Sequence, residues 1–182
     1  MSKAHTILID RCKQGEEKAM MQIYDLYCQA MFQIACRYLN EEDAKDAMQE
    51  SFIKAFSKLD GFTESFTFGS WLKRIVINQC IDDLKKKRLE FTASEISNLT
   101  IEDDDTSWDF NAEISKQQVL DAIGKLPSKH QVVVKLYLIE GYDHEEISNI
   151  LNIPIQTSRT HLRRGRLKLQ EILKTHYNEA RY

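Results

Sequence analysis

The stretch "DHEEISNILNIPIQTSRTHLRRGRLKLQEILK", residues 143–174, decides the fold. It opens with Asp143, a residue type that caps helices, and places Ile147, Ile150 and Leu151 at the three-to-four-residue step of an apolar helical stripe. Asn152 to Pro154 breaks that pattern as a tight turn. From residue 153 to residue 174, six Lys or Arg stand against one Glu, although the 182-residue chain carries a formal charge of −3. Leu162, Leu169 and Ile172 recur at helical spacing, so this second helix buries one face and turns its arginines outward. Short helix, sharp turn, basic helix is helix-turn-helix geometry.

The chemistry of that helix suits duplex DNA. Arg159, Arg163 and Arg166 fall at steps of four and three and share a face, bordered by Thr157, Thr160 and Arg164. Gln156, Thr157, Ser158 and Arg159 at its N-terminal end offer amide, hydroxyl and guanidinium donors to base edges, while the later arginines reach phosphates. The charge of this face matters more than the chain total, because binding neutralises local phosphates and releases their counterions. A basic helix standing alone would be an ordinary solvated face; one placed directly after a turn and a capped helix favours DNA.

Working outward, the totals point to soluble, all-helical material. Hydrophobic content is 42% and charged content 29%, with two prolines, six glycines and no β-type alternation. No basic-then-apolar leader and no run of eighteen apolar residues occurs, so the expected location is cytoplasmic. Cys12, Cys28, Cys36 and Cys80 show no C-x-x-C pair and are expected as reduced core residues. No metal or other cofactor is expected.

Ahead of the opening stretch, "EISKQQVLDAIGKL" predicts a helix stopping before Pro127. Ser128 is a potential cap for "KHQVVVKLYLIE", with Gly141 as its stop. In the first half, a short amphipathic segment breaks at Gly15, and a long helix is predicted from Glu16 to about Leu39. Asn40 can cap "EEDAKDAMQESFIKAFSKL", whose first turn carries Glu41, Glu42 and Asp43 near the positive end of the helix dipole. Gly61 is predicted to end that helix. "FTESFTFGS" reads as a loop, and helix resumes near Ser70 with "WLKRIVINQCIDDLKKKR". This helix carries Lys73 and Arg74, then Lys85, Lys86, Lys87 and Arg88, behind a loop containing Phe62, Phe66 and Phe68 and followed by Trp71. Cations beside aromatics are equipment for holding a single strand by backbone attraction and base stacking. If those rings are core instead, base contact falls to the loop backbone and its polar side chains. Between the halves, residues 90–111 lose periodicity and gather Glu102, Asp103, Asp104, Asp105 and Asp109, the composition of a flexible acidic linker. The expected organisation is two small helical domains, 1–89 and 112–182, joined by it.

These residues resemble a known family. "EEDAKDAMQESFIKAFSKL" with "FTFGSWLKRIVINQCIDDLKKK" is similar to region 2 of bacterial RNA polymerase sigma factors of the extracytoplasmic-function (ECF) group. "LPSKHQVVVKLYLIEGYDHEEISNILNIPIQTSRTHLRRGRLKL" is similar to their region 4. The resemblance implies a region 2 helical bundle, a region 4 helix-turn-helix and no catalytic role. Its implied partners are core RNA polymerase, promoter DNA and an anti-sigma factor. It implies that Asp46, Gln49 and Glu50, beside Phe52, dock on the polymerase. The loop from Phe62 to Gly69, with Phe62 and Phe66, would capture a flipped base of the minus-ten element, and Asn78 would contact the melted strand. Lys73, Arg74, Lys85, Lys86 and Lys87 would hold nearby backbone. Gln156, Thr157, Ser158, Arg159, Thr160, Arg163 and Arg164 would read the minus-thirty-five element. The acidic linker resembles the connector that occupies the polymerase's positive channel. His130, Gln156 and His161 depart from the family pattern, which commonly has Arg, Gly, and Arg or another polar residue there.

Two other classes compete. A stand-alone helix-turn-helix regulator would account for residues 112–182 but leaves the Phe-rich loop and the basic helix behind it unexplained. An enzyme finds little support. His144-Glu145-Glu146 lacks the second His of a metalloprotease helix, no Gly-rich phosphate loop occurs, and His5, His130, His161 and His176 are scattered.

Overall fold

The computed structural model describes residues 3–63, 67–89 and 114–179. The expected acidic linker, 90–111, and loop residues 64–66, with Phe66, lie outside the described residues. Every regular element among the described residues is helical, and the chain divides into two compact units, taken separately below.

The first unit holds α1 (Lys3–Lys13), α2 (Glu17–Ala35), α3 (Glu41–Ser57) and α4 (Phe68–Leu89). Asn40 caps α3 as expected, its Oδ1 accepting from the Asp43 N–H at 3.0 Å. Ala44, Ala47 and Ala55 occupy the buried side of α3, so short side chains let it lie close against α2 and α4. Around them pack Ile23, Leu72, Val76, Ile77 and Cys80. One end of the core is aromatic: Phe62, Phe68 and Trp71 meet pairwise with ring centroids 5.3–5.6 Å apart, and Tyr27 joins Phe68 at 5.4 Å. Such tilted and edge-on pairs add stabilisation beyond their buried area.

Several boundaries move from their sequence-based positions. α2 ends at Ala35, and the chain turns irregularly to Asn40 instead of continuing to Leu39. α3 ends at Ser57; Gly61 closes a separate 3-10 turn, Leu59–Gly61. α4 starts at Phe68, where Thr67 Oγ1 accepts from the Ser70 N–H at 3.2 Å in the manner of a hydroxyl cap. Of the four free cysteines only Cys12 and Cys80 are core; Cys28 is half-buried, and Cys36, at the end of α2, is exposed.

The second unit holds α5 (Lys116–Gly124), α6 (Ser128–Val134), α7 (His144–Leu151) and α8 (Ile155–Glu179). α5 starts at a capping box of Ser115 and Gln118, an S-x-x-Q pattern inside the segment predicted as helix from Glu113. Pro127 is the residue flanking α6, so Ser128 is its first helical residue and not its cap. α6 runs into a π-helical stretch, Lys135–Ile139, and the chain leaves it through Gly141 at φ +79°, a conformation glycine adopts without a Cβ penalty. Burial pushes the Lys135 amine down to about 8. α6 and α8 cross closely at Gly165. A Cβ there would stand 2.5 Å from Val134 Cγ2 and 3.3 Å from His130 Cβ, so the crossing needs a residue without a side chain.

Candidate functional site

α7 and α8 form the helix-turn-helix, and its geometry is fixed by short-range bonds. Asp143 and Glu146 make a capping box at the start of α7: the Glu146 N–H donates to Asp143 Oδ1 at 2.8 Å and the Asp143 N–H to Glu146 Oε2 at 3.1 Å. α7 ends on Asn152 at φ 54°, a left-handed cap that Asn tolerates better than most residues. Ser148 Oγ then donates to the Ile153 carbonyl at 2.6 Å, pinning the turn from its α7 side. A contact absent from the sequence reading joins the two helices. Ser158 is 0% exposed on α8, and its Oγ lies 2.9 Å from His144 Nδ1, while the His144 ring stacks on Tyr137 at 4.9 Å. Ser158 therefore faces inward and packs α8 against α7.

The remaining nominated residues of α8 stay at or near the surface. Gln156 and Arg159 are exposed, and Thr157, Thr160, Arg163 and Arg164 are half-buried. Thr160 Oγ1 donates to the Gln156 carbonyl at 2.9 Å, which leaves its oxygen able to accept. Leu162, Leu169 and Leu173 are buried and Ile172 partly so, the inward stripe of α8; Arg159 is exposed, while Arg163, Arg164 and Arg166 are half-buried, with the Arg163 Nε covered. His130 and His161 face each other across α6 and α8 with rings 5.2 Å apart. Burial lowers the His130 pKa, reinforced by Arg164, Lys129 and Lys168.

On the first unit, Asp46, Gln49 and Glu50 are all exposed on α3 and share one face. Phe52 does not belong to it: it is 3% exposed and packs on Tyr24 with centroids 4.8 Å apart. Ile53, 65% exposed, is the apolar side chain of that face, lying seven, four and three residues beyond Asp46, Gln49 and Glu50. No local signal separates these two adjacent apolar residues; the packing of Phe52 on Tyr24 of α2 does. Phe62 is likewise core, 5% exposed, so its ring is not free for a base in this conformation. On α4, Arg74, Asn78 and Lys86 are exposed and Lys73 and Lys85 half-buried; the side chain of Lys87 is outside the described residues. Arg74, Asn78 and Lys85 repeat at steps of four and seven and share a face. Among the described residues no cluster of three or more His, Cys, Asp or Glu could hold a metal ion, and no helix is long and apolar enough to cross a membrane.

Family comparison assigns both units. Residues 23–90 match sigma-70 region 2, residues 116–169 match sigma-70 region 4, and the chain is 33% identical to the ECF RNA polymerase sigma factor SigW of Bacillus subtilis (strain 168) across 91% of its own length and 95% of that protein's. The chain belongs to the ECF sigma factors. A second relative, the ECF RNA polymerase sigma-E factor of Salmonella typhimurium (strain 14028s), is 27% identical over 88% of this chain and 89% of that one. In fold, the sigma factor is similar to RpoE of Bartonella quintana, solved with the anti-sigma factor NepR. The TM-score is 0.55 at 23% identity, covering 86% of this chain and 98% of that one. The region 4 match takes in α5 to α8 as far as Leu169, so the capped turn and the arginine face lie inside it. The region 2 match takes in the acidic face of α3 and the cationic face of α4.

Proposed function

We propose that this sigma factor binds core RNA polymerase and directs promoter-specific initiation by dividing the work between its units. Residues 1–89 would act as region 2, 90–111 as the connecting linker and 112–182 as region 4. On α3, Asp46, Gln49 and Glu50 with Ile53 at their side would dock on the polymerase, an acid and amide patch around one apolar anchor. On α4, Asn78 would contact the opened minus-ten strand, with Lys73, Arg74, Lys85, Lys86 and Lys87 along its backbone. The loop before α4, including Phe66, would take up an unstacked base, which costs on the order of a few kcal/mol and is offset by contacts made only in the open form. On α8, Gln156, Thr157, Arg159, Thr160, Arg163 and Arg164 would read and grip the minus-thirty-five duplex. Phe52, Phe62 and Ser158 support these faces from behind.

The observation that carries this reading is the presence of both family regions, in order, on one chain, each with a polar face left open by its core. The protein acts without catalysing a reaction of its own, in the cytoplasm, with an anti-sigma factor as its expected inhibitor. Run-off transcription with core polymerase on a promoter library tests it: transcripts should start at a fixed distance downstream of a two-part sequence. Silence with core polymerase, combined with unaided tight binding to a symmetric duplex site in a gel shift, would point instead to a stand-alone regulator.

A further inference from the structure

A polar chain crosses the first unit from the acidic face of α3 to the basic end of α4. Gln79 is 6% exposed on α4, and both ends of its amide are used. Its Oε1 accepts from Lys54 Nζ on α3, and its Nε2 donates to both carboxylate oxygens of Asp83, at 3.1 and 3.0 Å. Asp83 Oδ1 also lies 3.4 Å from Lys86 Nζ. At the other end, Lys54 Nζ stands 3.9 Å from Glu50 Oε1, at the outer limit of an ion pair. Glu50, Lys54, Gln79, Asp83 and Lys86 thus form one alternating series.

Lys54 has two acceptors within reach and holds the neutral amide more closely than the carboxylate. On an isolated helix, Glu followed four residues later by Lys is the favoured orientation for pairing, so the ammonium is drawn away from its natural partner. The buried amide accounts for that. A carbonyl oxygen left without a donor in the interior is more costly than an exposed ion pair is stabilising. Lys54 therefore satisfies Gln79, and the Glu50 carboxylate stays largely uncovered.

We propose that Gln79 is a positioning residue for polymerase docking: by holding Lys54 against α4 it keeps Glu50 unmasked for a cationic or hydrogen-bond-donating group of the polymerase. The inference rests on the docking role proposed for Glu50 and deepens it.

The test is a double-mutant cycle on the full chain, read as affinity for core polymerase. Gln79→Leu should weaken binding roughly two- to fivefold, because Lys54 swings onto Glu50. In that background Glu50→Ala should cost clearly less than in the wild type, although residues 50 and 79 do not touch. Adding Lys54→Ala to Gln79→Leu should restore affinity to about the wild-type level, since no ammonium remains to cover the carboxylate. A merely structural role for Gln79 would give additive effects and no rescue, and either result overturns the inference. If Gln79→Leu fails to melt cooperatively, Gln79→Met, closer in shape, carries the same cycle. Should Glu50→Ala leave affinity unchanged in the wild type, the docking assignment of Glu50 itself falls and takes this inference with it.

Discussion

In the first unit the faces proposed to meet partners stand on helices whose inward sides are alanine and aromatic packing, Phe52 on Tyr24 and Phe62, Phe68 and Trp71 on one another. In the second unit α8 sets small and polar inward contacts beside its leucine stripe: Gly165 beneath Val134, Ser158 on His144, His130 beside His161. The docking surface proposed on α3 can therefore change with little disturbance of the aromatic core, because Asp46, Glu50 and Ile53 are exposed. On α8 the positions proposed to face DNA alternate with positions that hold the helix-turn-helix together, one or two residues apart. Recognition and stability are separable in the one and interleaved in the other.

The largest expected effect tests separability. Asp46→Lys with Glu50→Lys should abolish co-purification with core polymerase, while stability moves by no more than about 0.5 kcal/mol per exposed substitution. A large fall in melting temperature, or normal co-purification, would break the comparison. Next, Arg159→Ala with Arg163→Ala should weaken binding to the upstream duplex by at least about tenfold, as contacts worth roughly 1–3 kcal/mol each are lost. Polymerase association should be unchanged; its loss would contradict the assignment.

Smaller effects sharpen the interleaving. Gly165→Ala adds a methyl against stiff, β-branched Val134, an overpacking cost of about 1–3 kcal/mol that the better helix propensity of Ala offsets by about 1. The second unit should lose stability in denaturant titration and duplex affinity with it. Asp143→Ala removes the cap of α7 and should cost about 1 kcal/mol in the same titration. The smallest effect is in pH. Burial and nearby cations hold His130 below its ordinary value. Its contribution is therefore fully present above about pH 6.5 and lost as pH falls through the lowered folded value. Thermal melts of the second unit should drop on acidification below about 6.5, and His130→Gln should flatten that slope.

The helix-turn-helix was legible because its signals are local. Asp143 as cap, Asn152 as turn and the stripe of Leu162 and Leu169 lie within a few residues of what they control, and each holds in the structure. The cap of α3 at Asn40 was legible for the same reason. What the sequence concealed depends on distant partners. Phe52 and Ile53 are adjacent and both apolar, and only the position of Tyr24 on α2 settles which one turns inward. Phe62 looks like a stacking ring until Phe68 and Trp71 close over it. Ser158 sits among residue types suited to DNA contact, and its inward turn shows only in the bond to His144, fourteen residues away. For Gln79 only the pairing with Asp83, four residues on, was local; its other partner, Lys54, lies twenty-five positions earlier.

The π-helical stretch Lys135–Ile139 bears on how this unit tolerates changes in length. A π turn is what a helix forms when it must absorb one surplus residue between two anchored ends. Removing a single residue there would let the backbone close as ordinary α-helix. The same deletion would rotate Tyr137 away from the His144 ring and leave the hydroxyl of Ser158 bonded to an unbraced imidazole. A shortened chain of that kind should fold and still present its arginines, but on a helix pair with one brace fewer.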